Sequence, residues 1–109
     1  MIVGYRADVA LATNDEGREQ IQPFVDALFI EPSVIKVGEY TIFHWQYVKW
    51  DIYFDPDIIK FEEEMKKLSC FEFAYHGEDA VEWRVGETAP GILFTGIGYY
   101  DKDQKKLLN

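Results

Sequence analysis

The chain has 109 residues, 48% of them hydrophobic and 17% aromatic, which suits one domain with its own core and argues against disorder. Twenty acidic and eleven basic residues give a net charge of −9, which disfavours direct nucleic-acid binding because that needs a cationic surface. The sequence has no run near the ~20 apolar residues of a membrane span. Its N-terminus lacks a basic signal region, and its single cysteine, Cys70, suits a reducing compartment, so we predict a cytoplasmic protein.

The first elements in chain order are a strand and a helix. Residues Ile2 to Thr13 alternate well enough to predict a strand. Apolar residues at helical spacing then predict a helix that ends at Glu31-Pro32. Its start has two alternatives: a helix from Asp15 kinked at Pro23, or a regular helix from about Gln20.

A hairpin is predicted next. Ser33 to Val37 and Tyr40 to Trp50 are rich in strand-forming residues and flank a tight turn at Gly38-Glu39. Alternation in the second strand places three aromatic residues on one face: Phe43, Trp45 and Tyr47.

The clearest predicted element is a helix from Pro56 to Ser69. Asp55 is a typical N-cap residue, and proline is favoured at the first helical position. The spacing predicts two ion pairs on the solvent-exposed face, Glu62–Lys66 and Glu63–Lys67.

Three further strands complete the predicted order: Phe71 to Tyr75, Val81 to Val85 and Ile92 to Tyr100. In the second, alternation predicts that Val81, Trp83 and Val85 point inward and Glu82 and Arg84 outward. The order indicates an α+β fold, with an antiparallel sheet, two helices on one face and a ferredoxin-like β-α-β-β-α-β plan, plus a C-terminal pair of strands. We predict one domain over residues 1–101 and a polar tail over 102–109.

No residue pattern indicates catalysis, and we predict neither enzymatic activity nor a cofactor. His76, Glu78 and Asp79 are close in sequence, but no second spaced pair of metal ligands accompanies them. Cys70 is predicted to be buried and inert. The glycines match no phosphate-binding loop.

Three segments together resemble small proteins encoded by bacteriophages and prophages: GYRADVALAT at Gly4–Thr13, HWQYVKW at His44–Trp50 and FEFAYHGED at Phe71–Asp79. The resemblance ends after Asp79. It implies a phage protein in the bacterial cytoplasm, and by analogy an anti-defence or anti-CRISPR type of inhibitor. That group contributes no catalytic residues.

The first functional hypothesis is therefore an acidic inhibitor that binds a host protein or ribonucleoprotein with a basic surface, without contacting nucleic acid or membrane. The predicted partner-binding residues are Glu62, Glu63, Glu64, Glu78, Asp79, Glu82, Trp45 and Tyr47.

Two alternatives remain open. One is a homo-oligomer, such as a homodimer, that holds a small ligand such as a nucleotide. Its candidate pocket residues are Arg6, Lys49, Arg84, Trp45 and Trp50. The other is a weak metal-dependent hydrolase that uses His44, His76 and nearby acids.

Overall fold

The computed structural model describes residues 6–78, 80–94, 98–101 and 106–108. The described part of the chain is α+β, as the sequence predicts, and contains a five-stranded antiparallel sheet and two helices. The elements in chain order are β1 Ala7–Asn14, α1 Asp15–Asp26, β2 Ser33–Val37, β3 Tyr40–Val48, α2 Pro56–Met65, β4 Phe71–Gly77, β5 Val81–Val85, β6 Leu93–Phe94, β7 Gly98–Asp101 and β8 Lys106–Leu108.

The main sheet has the strand order β2-β3-β1-β4-β5, with antiparallel neighbours throughout. Because β5 is added beside β4, the order differs from that of a four-stranded ferredoxin-like sheet. A separate sheet has the order β6-β7-β8. The predicted strand Ile92–Tyr100 is thus divided between β6 and β7, which pair with each other, and β8 lies within the predicted tail.

Local sequence accounts for both helix starts. The Asn14 side chain accepts a hydrogen bond from the Gly17 N–H, so α1 begins at Asp15, the start given by the first alternative, and contains Pro23. It ends at Asp26, so the predicted end at Glu31-Pro32 is wrong. Asp55 caps α2 by accepting from the N–H groups of Asp57 and Ile58. The second helix ends at Met65, four residues earlier than predicted.

The larger core cluster joins the helices to alternate residues of the central strands. Its fully buried members include Val9, Leu11, Phe43, Trp45, Phe73, Ile21, Phe61 and Met65. A smaller cluster uses the intervening strand residues and the start of the C-terminal segment, namely Ala10, Ala12, Ile42, Ala74, Ile92 and Leu93. Buried Glu72 holds that segment, because its Oε1 accepts from the N–H groups of Ile92 and Leu93 at 3.0 and 3.2 Å. Cys70 is buried, as predicted.

The predicted orientation of β5 is wrong. Val81, Trp83 and Val85 are exposed, whereas Arg84 is partly buried and bonds to Glu62 of α2. In register, Arg84 lies opposite Phe73, which packs with the helices, so alternation places Trp83 on the opposite face.

Candidate functional site

A β-bulge at the end of β3 redirects Tyr47. Ala7 lies opposite Val48 and Val9 opposite Trp45, so two residues of β3 face the single residue Asp8. Tyr47 has φ of +50°, in the left-handed region that disfavours side chains with a Cβ atom. Asp8 Oδ1 accepts the Tyr47 N–H at 2.8 Å and so holds the bulge in place.

The bulge removes Tyr47 from the strand face that, by alternation, it would share with Phe43 and Trp45. Phe43 and Trp45 are buried, but the Tyr47 side chain is 73% exposed. The Arg6 guanidinium lies 5.8 Å from the centre of its ring, within cation–π distance. The Arg6 N–H in turn donates to Glu78 Oε1 at 2.7 Å. A strained backbone is thus used to present an aromatic ring to solvent.

The connection from β3 to α2 presents two more aromatic rings. Tyr53 is 77% and Phe54 84% exposed, and Ile52 before them is also exposed. Asp51 Oδ1 accepts from the N–H groups of Tyr53 and Phe54 at 2.9 and 3.0 Å, which fixes the turn. These two donors, Tyr53 first, lower the pKa of the Asp51 carboxyl, because they stabilise its charged form.

Sheet register places Tyr47 at one end of the main sheet, and the connection that carries Ile52, Tyr53 and Phe54 leaves β3 at that same end. Ala7 begins β1, and it lies opposite both Val48 at the end of β3 and Gly77 at the end of β4. We call the exposed group at this end the aromatic end: Tyr47, Ile52, Tyr53 and Phe54.

Three carboxylates lie in the β3–α2 connection and the first turn of α2, which gives the aromatic end an acidic border. Asp51 bonds within the turn, Asp55 caps α2, and Asp57 is exposed in the first helical turn. The sequence identifies Asp55 as a helix cap, but the three residues Ile52, Tyr53 and Phe54 before it were not predicted to form a surface. The signal available was three consecutive large apolar residues in a segment with turn-forming acids.

The predicted partner-binding residues are not one surface. Trp45 and Glu62 are buried, so their predicted exposure is wrong. Glu62 Oε1 accepts from Arg84 Nη2 at 2.7 Å and its Oε2 from Trp50 Nε1 at 2.7 Å, in place of the predicted pair with Lys66. The cause is tertiary, because β5 brings Arg84 against this face of α2.

The other predicted acids are more accessible. Glu63, Glu78 and Glu82 are exposed, and Asp79 lies outside the described residues. Glu64 is partly buried and pairs with Lys60 at 3.2 Å and with Lys67 at 2.8 Å. Lys67 was predicted to pair with Glu63, but it bonds to Glu64 instead. These two lysines lower the pKa of Glu64, with the Lys67 hydrogen bond as the larger cause.

The structure does not assemble the predicted nucleotide pocket. Trp45 and Trp50 are buried in the core with ring centres 5.2 Å apart, so neither ring is available to stack on a base. Arg84 is engaged by Glu62 and lies 4.7 Å from the Phe73 ring centre, while Arg6 lies over Tyr47.

An open groove of about 620 Å³ lies between the end of α2 and β5. Three cationic residues line it: Lys66, Lys67 and Arg84. Lys67 and Arg84 already pair with glutamates of α2, so most of the positive charge along the groove is engaged within the chain.

The histidines do not form a metal centre in the part of the chain that the structure describes, where no group of three or more His, Cys, Asp or Glu side chains is positioned to hold an ion. His44 is buried on β3, and His76 is exposed on β4. Burial lowers the pKa of His44 below 6.5, against a smaller opposing effect of the Asp8 charge.

Comparison with family models, with curated proteins and with solved structures gives no match to this chain. None of the described helices is both long and apolar enough to span a membrane. The conclusions about function therefore rest on the geometry of the aromatic end and on charge.

Proposed function

We propose that the chain is a protein-binding protein that docks through its aromatic end onto a basic surface of another protein. The observation that carries this proposal is the exposed Tyr47 ring on a left-handed backbone. Backbone strain of this kind costs about 1–3 kcal/mol and is concentrated at functional sites. With Tyr53 and Phe54, it provides the aromatic anchors that dominate many protein interfaces.

The loop geometry supports binding in a second way. Asp51 and Asp55 each accept two backbone N–H groups, so Tyr53 and Phe54 are displayed from a turn that is already ordered. An ordered loop loses less conformational entropy when it binds. Tyrosine and phenylalanine also have few rotatable bonds for the contact area that they supply.

Charge indicates the type of partner. The acidic border of the aromatic end and the net charge of −9 favour a cationic surface and disfavour an anionic one. Cationic surfaces are characteristic of proteins that handle nucleic acids. Together with the sequence resemblance to phage proteins, this supports an inhibitor of a host nucleic-acid-handling or defence complex in the bacterial cytoplasm.

The test is a capture experiment on bacterial lysate with the tagged wild-type protein and a Tyr53→Ser/Phe54→Ser double variant. The wild type should recover a protein with a basic surface, with recovery decreasing as salt rises, because salt screens charge pairs. The double variant should lose that protein. Direct binding of the purified pair then measures the loss, which we expect to be at least about 100-fold for two anchor residues.

The matched control is Val34→Ser, which removes an exposed apolar side chain from β2, away from the aromatic end. It should retain binding. Equal binding by the double variant and the wild type would refute the proposed surface. Flotation with neutral and anionic vesicles tests a membrane as the alternative target, and binding to vesicles in place of protein would also refute it.

We also propose that the first six elements follow a ferredoxin-like plan with both helices on one face. The order β4-β1-β3-β2 within the five-stranded sheet supports this plan. Further support comes from the larger core cluster, in which residues of both helices pack with Val9, Leu11 and Phe73. The plan places the β3–α2 loop at the end of the sheet where β1 begins.

A further inference from the structure

The strand β5 has an open outer edge. It pairs with β4 on one side and stands last in the strand order, and no other described strand pairs with it. Exposed edges of this kind are templates for pairing with another strand, and proteins usually protect them with charge, proline or short length. The sequence of β5, Val-Glu-Trp-Arg-Val, has valine at both ends and tryptophan at the centre.

Two hydrogen bonds show which backbone groups face outward. The Gly86 N–H donates to the Phe71 carbonyl at 2.9 Å, and the Gly77 N–H donates to the Ala80 carbonyl at 2.8 Å. Even-numbered residues of this segment therefore point their backbone groups toward β4. Since these groups alternate in an antiparallel ladder, the N–H and C=O groups of Val81, Trp83 and Val85 point away from the sheet.

The side chains of the same three residues are exposed on one face. Val81 and Val85 are more than half exposed, and Trp83 is 40% exposed. Arg84 lies on the other face against Glu62 of α2, and Glu82 shares that face. The edge thus combines three free hydrogen-bonding positions with an apolar row.

We propose that β5 pairs with β5 of a second copy of this chain, antiparallel and centred on Trp83. In this register Trp83 faces its own copy, Val81 faces Val85 of the partner subunit, and Glu82 faces Arg84 of the partner subunit. The outward groups of the three odd residues then form about six hydrogen bonds across the interface. Apolar and opposite-charge pairs of this type stabilise neighbouring strands.

Charge selects this register over its neighbours. Moving the partner by two residues in one direction sets Glu82 against Glu82 of the partner subunit. Moving it by two in the other direction sets Arg84 against Arg84 of the partner subunit. Like charges directly opposite are destabilising. A one-residue shift would pair outward groups with inward ones, which leaves no ladder. The strand is therefore complementary to itself in a single register.

A register-specific disulfide tests the proposal without changing Trp83. Val81→Cys and Val85→Cys are made separately, mixed, and oxidised with oxidised glutathione. The mixture should yield a cross-linked dimer, because facing residues lie about 5.5 Å apart, within disulfide range. Either variant alone should not cross-link, since its two copies lie about 14 Å apart. The wild type, whose Cys70 is buried, serves as the oxidation control.

Sedimentation velocity on the unmodified protein gives a second readout. The wild type should dimerise in a concentration-dependent manner, and more strongly as salt screens the net charge of −9. Glu82→Arg should weaken the dimer about tenfold by creating two like-charge pairs. Glu63→Arg makes the same charge change on α2 and should not weaken it. A monomer at the highest soluble concentration, or equal cross-linking in every sample, would overturn the proposal.

Discussion

The left-handed backbone at Tyr47 makes an unusual stability prediction. Replacing Tyr47 by alanine or by glycine removes the same ring and the same contact with Arg6. The two variants therefore differ mainly in whether position 47 carries a Cβ atom. At an ordinary strand position alanine is the more stable of the two, but at φ of +50° we expect the order to reverse.

The magnitude follows from two opposing effects. A left-handed backbone disfavours a residue with a Cβ atom by about 1–2 kcal/mol. Glycine has more conformational freedom in the unfolded chain, which lowers the unfolding free energy of a glycine variant by about 0.5–1 kcal/mol relative to alanine. Tyr47→Gly should therefore exceed Tyr47→Ala in unfolding free energy by roughly 0.5–1 kcal/mol. For a chain of this size the difference corresponds to about 2–4 °C in melting temperature.

Chemical denaturation of four variants provides the assay. Gln46 is the matched control, because it is an exposed neighbour on the same strand without a positive φ. Gln46→Ala should be more stable than Gln46→Gly by about 0.5–1 kcal/mol. If Tyr47→Ala also proves more stable than Tyr47→Gly, the backbone at position 47 is not strained. The strain would then no longer support a binding role for Tyr47. Both Tyr47 variants should lose partner binding, whichever is more stable.

Three further predictions concern buried polar groups. Glu62→Ala should lower the unfolding free energy by about 2–3 kcal/mol, because it leaves the partly buried Arg84 without its partner. Glu63→Ala on the exposed face should change it by less than about 0.5 kcal/mol, and urea denaturation measures both. Because burial lowers the pKa of His44, the unfolded state binds more protons than the folded state around pH 6.5 and just below it. The unfolding free energy should therefore decrease as the pH is lowered through this range. His44→Gln should reduce that fall in thermal melts from pH 5 to 7.5, and an unchanged slope would contradict the burial argument. Glu72→Leu should accelerate amide exchange at residues 92 and 93, and Glu72→Gln, which keeps a carbonyl acceptor, should not.

Much of the candidate site was beyond prediction because its geometry depends on distant residues. The bulge that exposes Tyr47 is held by Asp8, which lies 39 residues earlier. Alternation alone placed Tyr47 with Phe43 and Trp45, because a β-bulge changes the face without changing the residue types. The exposure of Tyr53 and Phe54 was not predicted, since large apolar residues are usually buried.

The charged residues of α2 show the same limit. Spacing predicted that Glu62 would pair with Lys66 on a solvent-exposed face, as isolated helices do. In the folded chain Arg84, 22 residues later, occupies that face and buries Glu62. For β5, alternation correctly separated Trp83 from Arg84 but did not show which of them the helices cover.

The sequence by itself determined the α+β class, most element positions and the acidic surface, because these depend on residues a few positions apart. Asn14, Asp55 and Pro56 set the starts of both helices through bonds or dihedral preferences within three residues. Only the tertiary structure decided which face of each strand is covered, which carboxylate is buried and which tyrosine is exposed. These outcomes depend on what packs across from a residue, and periodicity carries no information about that neighbour.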